Sequence, residues 1–292
     1  MFKRCLICTD FSDGLDRLVN FVPNLAQGGL EQIVFLHSVP LWEEGEIPRI
    51  DKDGIKKAEA RLSKALENVP EGVEVHIEVP SGRPTDMIPQ ALKKYQSDVI
   101  LTGTPIRSLL QEKLFGSTTQ GLAKLVKTPL MTLRPELIST YTCEELALRC
   151  QHLWRYLLIP YNDSESARYL IKQIKEYAQK APTNSFQRCL LCWVVGDSGS
   201  RRITIDYLLK EAENKLKSVQ AELEELGLQV DIEVSQGDPL HKVLDLALNQ
   251  DISAIAIGNV SSGNIFEWTV PSFANEILRR SWFPVLYLSP KE

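Results

Sequence analysis

The chain repeats itself. At an offset of about 155 residues, LICTDFSDG near residue 10 faces LLIPYNDSES near 162, and EVHIEVPSGRP (74–84) faces QVDIEVSQGDP (229–239). Further on, SDVILTGT (97–104) faces ISAIAIGN (252–259), and KTPLMTLRP (127–135) faces WFPVLYLSP (282–290). A duplication of this kind limits the fold to two copies of whatever half the chain can build. Half of 292 residues is enough for a core of its own. The repeat places one domain at 1–136, a second at 154–292, and a connecting segment at 137–153.

Within each copy, short apolar runs alternate with amphipathic stretches. The first copy offers CLICT, IVFLHSV, VEVHIEV, DVILTG and PLMTL as strands; the second offers YLLIPY, CLLCWVV, VDIEV, AIAIG and PVLYL. Near-continuous apolar strands suit a parallel sheet covered on both faces. Ile55, Ala58, Leu62, Ala65, Leu66 and Val69 fall at helical spacing. So do Ile205, Leu208, Leu209, Ala212, Leu216, Val219, Leu223 and Leu226. Strand alternating with helix predicts an α/β fold, each copy a five-stranded, parallel, doubly wound sheet. In the connecting segment Thr142 and Glu145 have capping-box spacing, which predicts a short helix there.

Net charge is −5 and no run of five or more basic residues occurs, which argues against a nucleic-acid partner. No apolar run reaches the roughly 18–20 residues of a membrane span, and the opening MFKRCLICTDFSDG meets Asp10 before a secretory apolar core could form. The expected location is therefore the cytoplasm. Two of the six cysteines stand at Cys5/Cys8 and two more at Cys189/Cys192, a spacing shared with zinc and dithiol motifs. In strands, residues three apart point to opposite faces, so buried structural thiols are expected instead, and Cys143 and Cys150 are read the same way. His37, in an apolar strand, is read as a core histidine; His76, His152 and His241 lack ligand spacing.

The stretch with most chemistry in it is GTPIRSLLQEKLFGSTTQG (103–121), which leaves the carboxyl end of the fourth strand, where open α/β sheets bind ligands. Gly116, Ser117 and Thr118 open a predicted helix whose free N–H groups suit a phosphate without any lysine. No Walker motif or GxGxxG follows a strand. The pattern of glycine, two residues, a small residue, nine residues and Gly-Ser resembles the signature of the universal stress protein family. Thr9-Asp10-Phe11-Ser12 after strand one, FLHSV ending strand two, and SGRP before the third helix resemble its other landmarks. The resemblance covers nearly the whole chain, twice over.

That resemblance implies two tandem Rossmann-like domains of the adenine nucleotide alpha hydrolase-like type, arranged as an intrachain pseudo-dimer with homodimers also open, and a bound ATP or other adenine nucleotide, with or without Mg. It implies Thr9 and Asp10 at the ribose or base, Val39 against the base, and Gly103 approaching the phosphates. Gly116, Ser117 and Thr118 would hold the β- and γ-phosphates, with Arg107 as an added charged donor. There are departures. Ile106 stands where the family has a second small residue, and the second copy has Asn162 opposite Asp10 and Pro271, which lacks an N–H, beside Ser272, with Gly258 and Ser261 upstream. Nucleotide is therefore expected mainly in the first copy, the second acting as its packing partner. Asp10 and Ser12 equally suit helix N-caps, Gly116-Ser117-Thr118 an ordinary capped helix, and Gly258 a tight turn. WEEGEIPRIDKDG (42–54) reads as a solvated loop or a flap over the base. No catalytic constellation is evident, so the functions open are a nucleotide-binding stress or signalling protein, an interaction or scaffold protein without nucleotide, and a slow ATPase.

Overall fold

The computed structural model describes residues 1–41, 49–103, 127–180, 185–196, 202–258 and 273–289. They fall into two compact units, Phe2–Gln151 and His152–Glu292. In the N-terminal unit the strands are β1 (Arg4–Cys8), β2 (Gln32–Leu36), β3 (Glu74–Glu78), β4 (Val99–Gly103) and β5 (Leu130–Leu133). They lie in the order β3-β2-β1-β4-β5, all parallel. The C-terminal unit has β6 (Tyr156–Pro160), β7 (Arg188–Val195), β8 (Gln229–Gln236), β9 (Ala254–Gly258) and β10 (Val285–Leu288). Its order, β10-β9-β6-β7-β8, is the same winding, again parallel. Each sheet is that of an α/β fold, with all ten strands on the apolar runs that announced them.

Burial explains why. Four successive residues are buried in each of β1, β2, β4 and β5, and in β6, β9 and β10, so both faces of these strands are covered. Leu6, Ile7, Ile33, Val34, Leu157 and Leu158 are wholly inaccessible, each such side chain stabilising the fold by roughly 1.5–3 kcal/mol relative to exposure. The edge strands β3 and β8 are only partly buried and alternate in charge and polarity, as an edge requires. The sulfurs of Cys5, Cys8, Cys189 and Cys192 are buried in this core and unpaired. Burial pushes the Cys192 thiol up to about 12, and raises the other three as well, which keeps them protonated. Cys143 departs from expectation, since it is exposed at a helix start, while Cys150 is buried.

A 3-10 turn at Leu15–Phe21 leads into α1 (Val22–Gln27), followed by α2 (Lys52–Leu62) and α3 (Pro84–Tyr95). The α2 helix starts because Asp51 accepts from the Gly54 N–H at 2.8 Å. Residues 52–54 are thus helical rather than loop, and 42–48 of that acidic stretch lie outside the described residues. The apolar stripe fails at its far end: the chain tightens to a 3-10 turn at Ser63–Leu66, the phase changes from 3.6 to about 3 residues per turn, and Leu66 is left 52% exposed.

The connecting segment forms two helices, α4 (Pro135–Thr140) and α5 (Cys143–Gln151). The capping box is present: Thr142 N–H donates to Glu145 Oε2 at 2.8 Å, and Glu145 N–H to Thr142 Oγ1 at 3.3 Å. Arg17 donates to the carbonyls of Ile138 and Tyr141, the latter at 3.1 Å, tying these helices to the N-terminal unit. In the C-terminal unit the helices are α6 (Glu165–Lys180), α7 (Arg202–Glu224), α8 (Pro239–Asn249) and α9 (Phe273–Arg280). On α7, Ala212, Leu216, Val219 and Leu223 are buried, the inner part of the expected stripe. No helix among the described residues is long and apolar enough to cross a membrane.

Candidate functional site

In the N-terminal unit β1 pairs with β2 on one side and β4 on the other, so strand order reverses between β1 and β4 and a crevice opens at their carboxyl ends. Three segments meet there: Thr9–Asp13 after β1, His37–Val39 after β2, and Gly103 at the end of β4. The main chain fixes the first two. Thr9 N–H donates to Leu36 O at 3.0 Å, Val39 N–H to Pro80 O at 2.9 Å, and Gly82 N–H to Val39 O at 2.9 Å. Val39 is buried with both of its main-chain groups engaged, which leaves its side chain as the contact it can offer.

Asp10 is exposed, and its Oδ1 accepts from the Ser12 N–H at 2.8 Å and the Ser12 hydroxyl at 2.7 Å. Its Oδ2 has no bond to any described residue. Neither Asp10 nor Ser12 caps a helix. The first helical turn starts at Leu15, whose N–H is taken at 3.0 Å by Asp13 Oδ1. Asp13 also accepts from the Thr9 hydroxyl at 2.7 Å, and only 5% of it is accessible. Burial raises its carboxyl to about 6 against the lowering effect of the Thr9 and Leu15 hydrogen bonds. Sequence reasoning missed this acid: TDFSDG carries two carboxylates three apart, and nothing in the string says which one turns inward.

Gly103 has a structural reason to be glycine. A Cβ there would stand 2.4 Å from the Asp13 Cβ, closer than packed carbons come, so the missing side chain makes room for Asp13 whether or not a ligand is bound. Phe11 holds left-handed backbone at φ 64°; its ring stacks on His37 (centroids 4.1 Å apart) and the Arg61 guanidinium lies over it at 4.4 Å, so the ring is already engaged within the protein. His37, expected in the core, is half-buried at this edge and its Nδ1 donates to Thr9 O at 2.9 Å. The signal was its place at the end of FLHSV, where strand two leaves the sheet.

Of the expected site residues, Thr9, Asp10, Val39 and Gly103 converge on this crevice; Arg107, Gly116, Ser117 and Thr118, with Ile106 and the helix they open, lie outside the described residues. In the C-terminal unit, Ser261, Pro271 and Ser272 do so too. Gly258 is described: a Cβ on it would meet Ser166 O at 2.9 Å and Leu170 Cβ at 3.1 Å, so it admits α6 close to β9 rather than making a turn. Beside it, at the carboxyl ends of β6, β7 and β9, is a cavity of about 340 Å³. Among the described residues no cluster of three His, Cys, Asp or Glu side chains could hold a metal ion.

Duplicated parallel sheets, with a polar crevice at one strand-order reversal and a cavity at the other, define a tandem α/β protein of the Rossmann-like kind. The chain belongs to the universal stress protein family, whose model matches it twice, over residues 1–134 and 154–288. Along 99% of its length it shares its fold with a universal stress protein from Archaeoglobus fulgidus, at a TM-score of 0.66 with 19% identity, covering 97% of that chain. Universal stress protein MJ0577 of Methanocaldococcus jannaschii is 21% identical over 157 residues, 48% of this chain and 97% of its own length. Another universal stress protein was solved in complex with cAMP; at 16% identity over 46% of this chain and 98% of its own, with a TM-score of 0.33, it is too distant to transfer a site.

Proposed function

We propose that this is an adenine-nucleotide-binding protein of stress response or signalling, working in the cytoplasm, whose N-terminal unit holds ATP at the β1/β4 crevice. The observation that carries the proposal is Asp10, an exposed carboxylate with Oδ2 uncommitted, standing at the strand-order reversal where such sheets bind ligands. Asp10 would accept from ribose hydroxyls and Val39 would offer apolar contact to the base, a fit to the nucleoside half of the ligand. Thr9 would act indirectly, through its bond to Asp13. Gly103, Arg107, Gly116, Ser117 and Thr118 would serve the phosphates. Occupancy would act by favouring one shape or partner over another, with the C-terminal unit as the packing partner of this proposal.

Asp13 favours a second reading. Because it already accounts for the glycine at 103, one of the nucleotide landmarks has a purely structural origin, and an interaction protein without nucleotide would keep it too. Thermal unfolding with ATP, AMP and cAMP separates the two. A nucleotide at 100 times its Kd adds about 2.7 kcal/mol of stability; that gain is expected with ATP and is expected to vanish in Asp10→Ala. No gain with any of the three leaves the interaction reading, and phosphate release by wild type but not Asp10→Ala would add turnover to the first.

A further inference from the structure

The cavity of the C-terminal unit occupies the place that corresponds to the crevice of the N-terminal unit, yet its chemistry is different. Its walls are Tyr161 after β6, Leu170 on α6, Val194 on β7, Val243 on α8, Ile257 on β9 and Phe273 on α9. None of the described residues lining it is Asp, Glu, Lys, Arg or His. The two weak acids on its wall stay neutral, since burial pushes both the Tyr161 hydroxyl and the Cys192 thiol up to about 12. The Tyr161 hydroxyl is in any case turned away, donating to Asp163 at 3.2 Å, where Arg168 and Lys215 each neutralise that acid at 3.0 Å.

The other polar side chains of its wall are Asn162, Ser164 and Ser166, which follow one another closely after β6. Asn162 takes the place of Asp10 and makes the same turn, its Oδ1 accepting from the Ser164 N–H at 3.2 Å. That leaves its NH2 as a neutral donor at the mouth, beside the hydroxyl of Ser164, which itself accepts from the Ala167 N–H at 3.3 Å. A phosphate brought here would meet no described cation and lose its hydration, which is costly for any uncompensated charge. An apolar body would gain contact on several walls, and about 340 Å³ lies within the roughly 300–1,000 Å³ of small-molecule sites.

We infer that the C-terminal unit binds a neutral, mainly apolar small molecule with one hydrogen-bonding head group, of the class of a medium-chain alcohol or amide. The head meets Asn162 and Ser164, and the body lies between Leu170, Val194, Val243 and Phe273. The site does not depend on nucleotide binding in the N-terminal unit, so one protein would carry two sites of opposite chemistry.

The test uses the full chain and the neutral fluorescent probe N-phenyl-1-naphthylamine. Expected is saturable uptake of one probe per chain, displaced by 1-decanol, at least 10-fold less well by decanoate, and not by ATP. Ala167→Phe and Val194→Trp, which fill the cavity from α6 and from β7, are each expected to weaken probe binding at least 10-fold; whichever keeps the wild-type melting temperature is the one that counts. Absent or non-saturable uptake, uptake unchanged in the folded filling variant, decanoate competing as well as decanol, or displacement by ATP would each overturn the proposal.

Discussion

The two units make the same turn at the same edge and put different side chains on it. After β1, Thr9 N–H reaches Leu36 O; after β6, Tyr161 N–H reaches Cys192 O at 2.8 Å. Two residues on, Phe11 and Asp163 both adopt left-handed backbone, at φ 64° and 57°. Asp10 and Asn162 accept from the N–H of Ser12 and Ser164, and Gly82 and Gly237 donate to Val39 O and Val195 O. What differs is charge. The N-terminal edge carries Asp10 in solvent and Asp13 buried behind it, whereas the C-terminal edge keeps its acid, Asp163, outside in an ion-pair cluster and lines a neutral cavity instead. The duplication therefore preserved a backbone turn at the strand-order reversal and left the chemistry of that edge to a few side chains.

The sharpest way to break this contrast is pH. Asp13 titrates at about 6 rather than the usual 3.8, so the fold prefers its protonated form. Its stabilising contribution is full below about pH 4 and is lost as pH rises through 6, a change of roughly 3 kcal/mol for a group so deeply buried. Urea unfolding from pH 4 to 7 should show that loss in wild type and not in Asp13→Asn, which keeps an acceptor for Thr9 and Leu15. Asp163, whose carboxyl is held low first by the Lys215 hydrogen bond, has the opposite sign: its small contribution is present above the ordinary carboxylate range and fades as pH falls through it. Matching pH slopes for Asp13→Asn and wild type would erase the difference between the edges.

Next in size come the glycines. Gly103→Ala forces a Cβ against the Asp13 Cβ, and about 2 kcal/mol of destabilisation is expected; the double variant Gly103→Ala, Asp13→Gly should recover part of it by removing the clash. Gly258→Ala, blocked by Ser166 O and Leu170, should cost about 1–2 kcal/mol and be indifferent to any change at Asp13. Recovery of Gly258→Ala by Asp13→Gly would show that the partner assignments are wrong. Smallest is the cap before the third helix of each unit. Asp238 accepts from the His241 N–H at 2.9 Å, so Asp238→Ala should cost about 1 kcal/mol, while Arg83, which makes no side-chain cap, should tolerate alanine. Equal costs at 83 and 238 would mean that Pro84 and Pro239 start these helices unaided.

The sheets were legible in the string because a strand buried on both faces has nowhere to hide a polar residue, and CLIC, IVFL, LLI and AIAI say so directly. The repeat added the winding, since both copies had to satisfy one order. Side-chain detail was less accessible. Leu66 and Val69 looked like members of a helical stripe because the change to 3-10 geometry at Ser63 leaves no mark in the spacing. Cys143 was grouped with Cys150 as seven apart on one helix, although Cys143, the first residue of that helix, is left exposed and only Cys150 is covered. At the candidate site, residue type and position pointed to Asp10, but the inward acid, Asp13, is chosen by the Phe11 turn, a backbone choice that TDFSD does not encode visibly. The cavity of the C-terminal unit was invisible for a related reason: its neutrality is a property of side chains drawn from six separate segments.

The tie between Arg17 and the carbonyls of Ile138 and Tyr141 has a practical corollary for anyone dissecting the molecule. The family match of the first repeat stops at residue 134, but a truncation there would strip the guanidinium of its acceptors and remove the two helices that pack against the Leu15–Phe21 turn. An excised first half that is to keep its shape should run on to Gln151, where the compact unit itself ends.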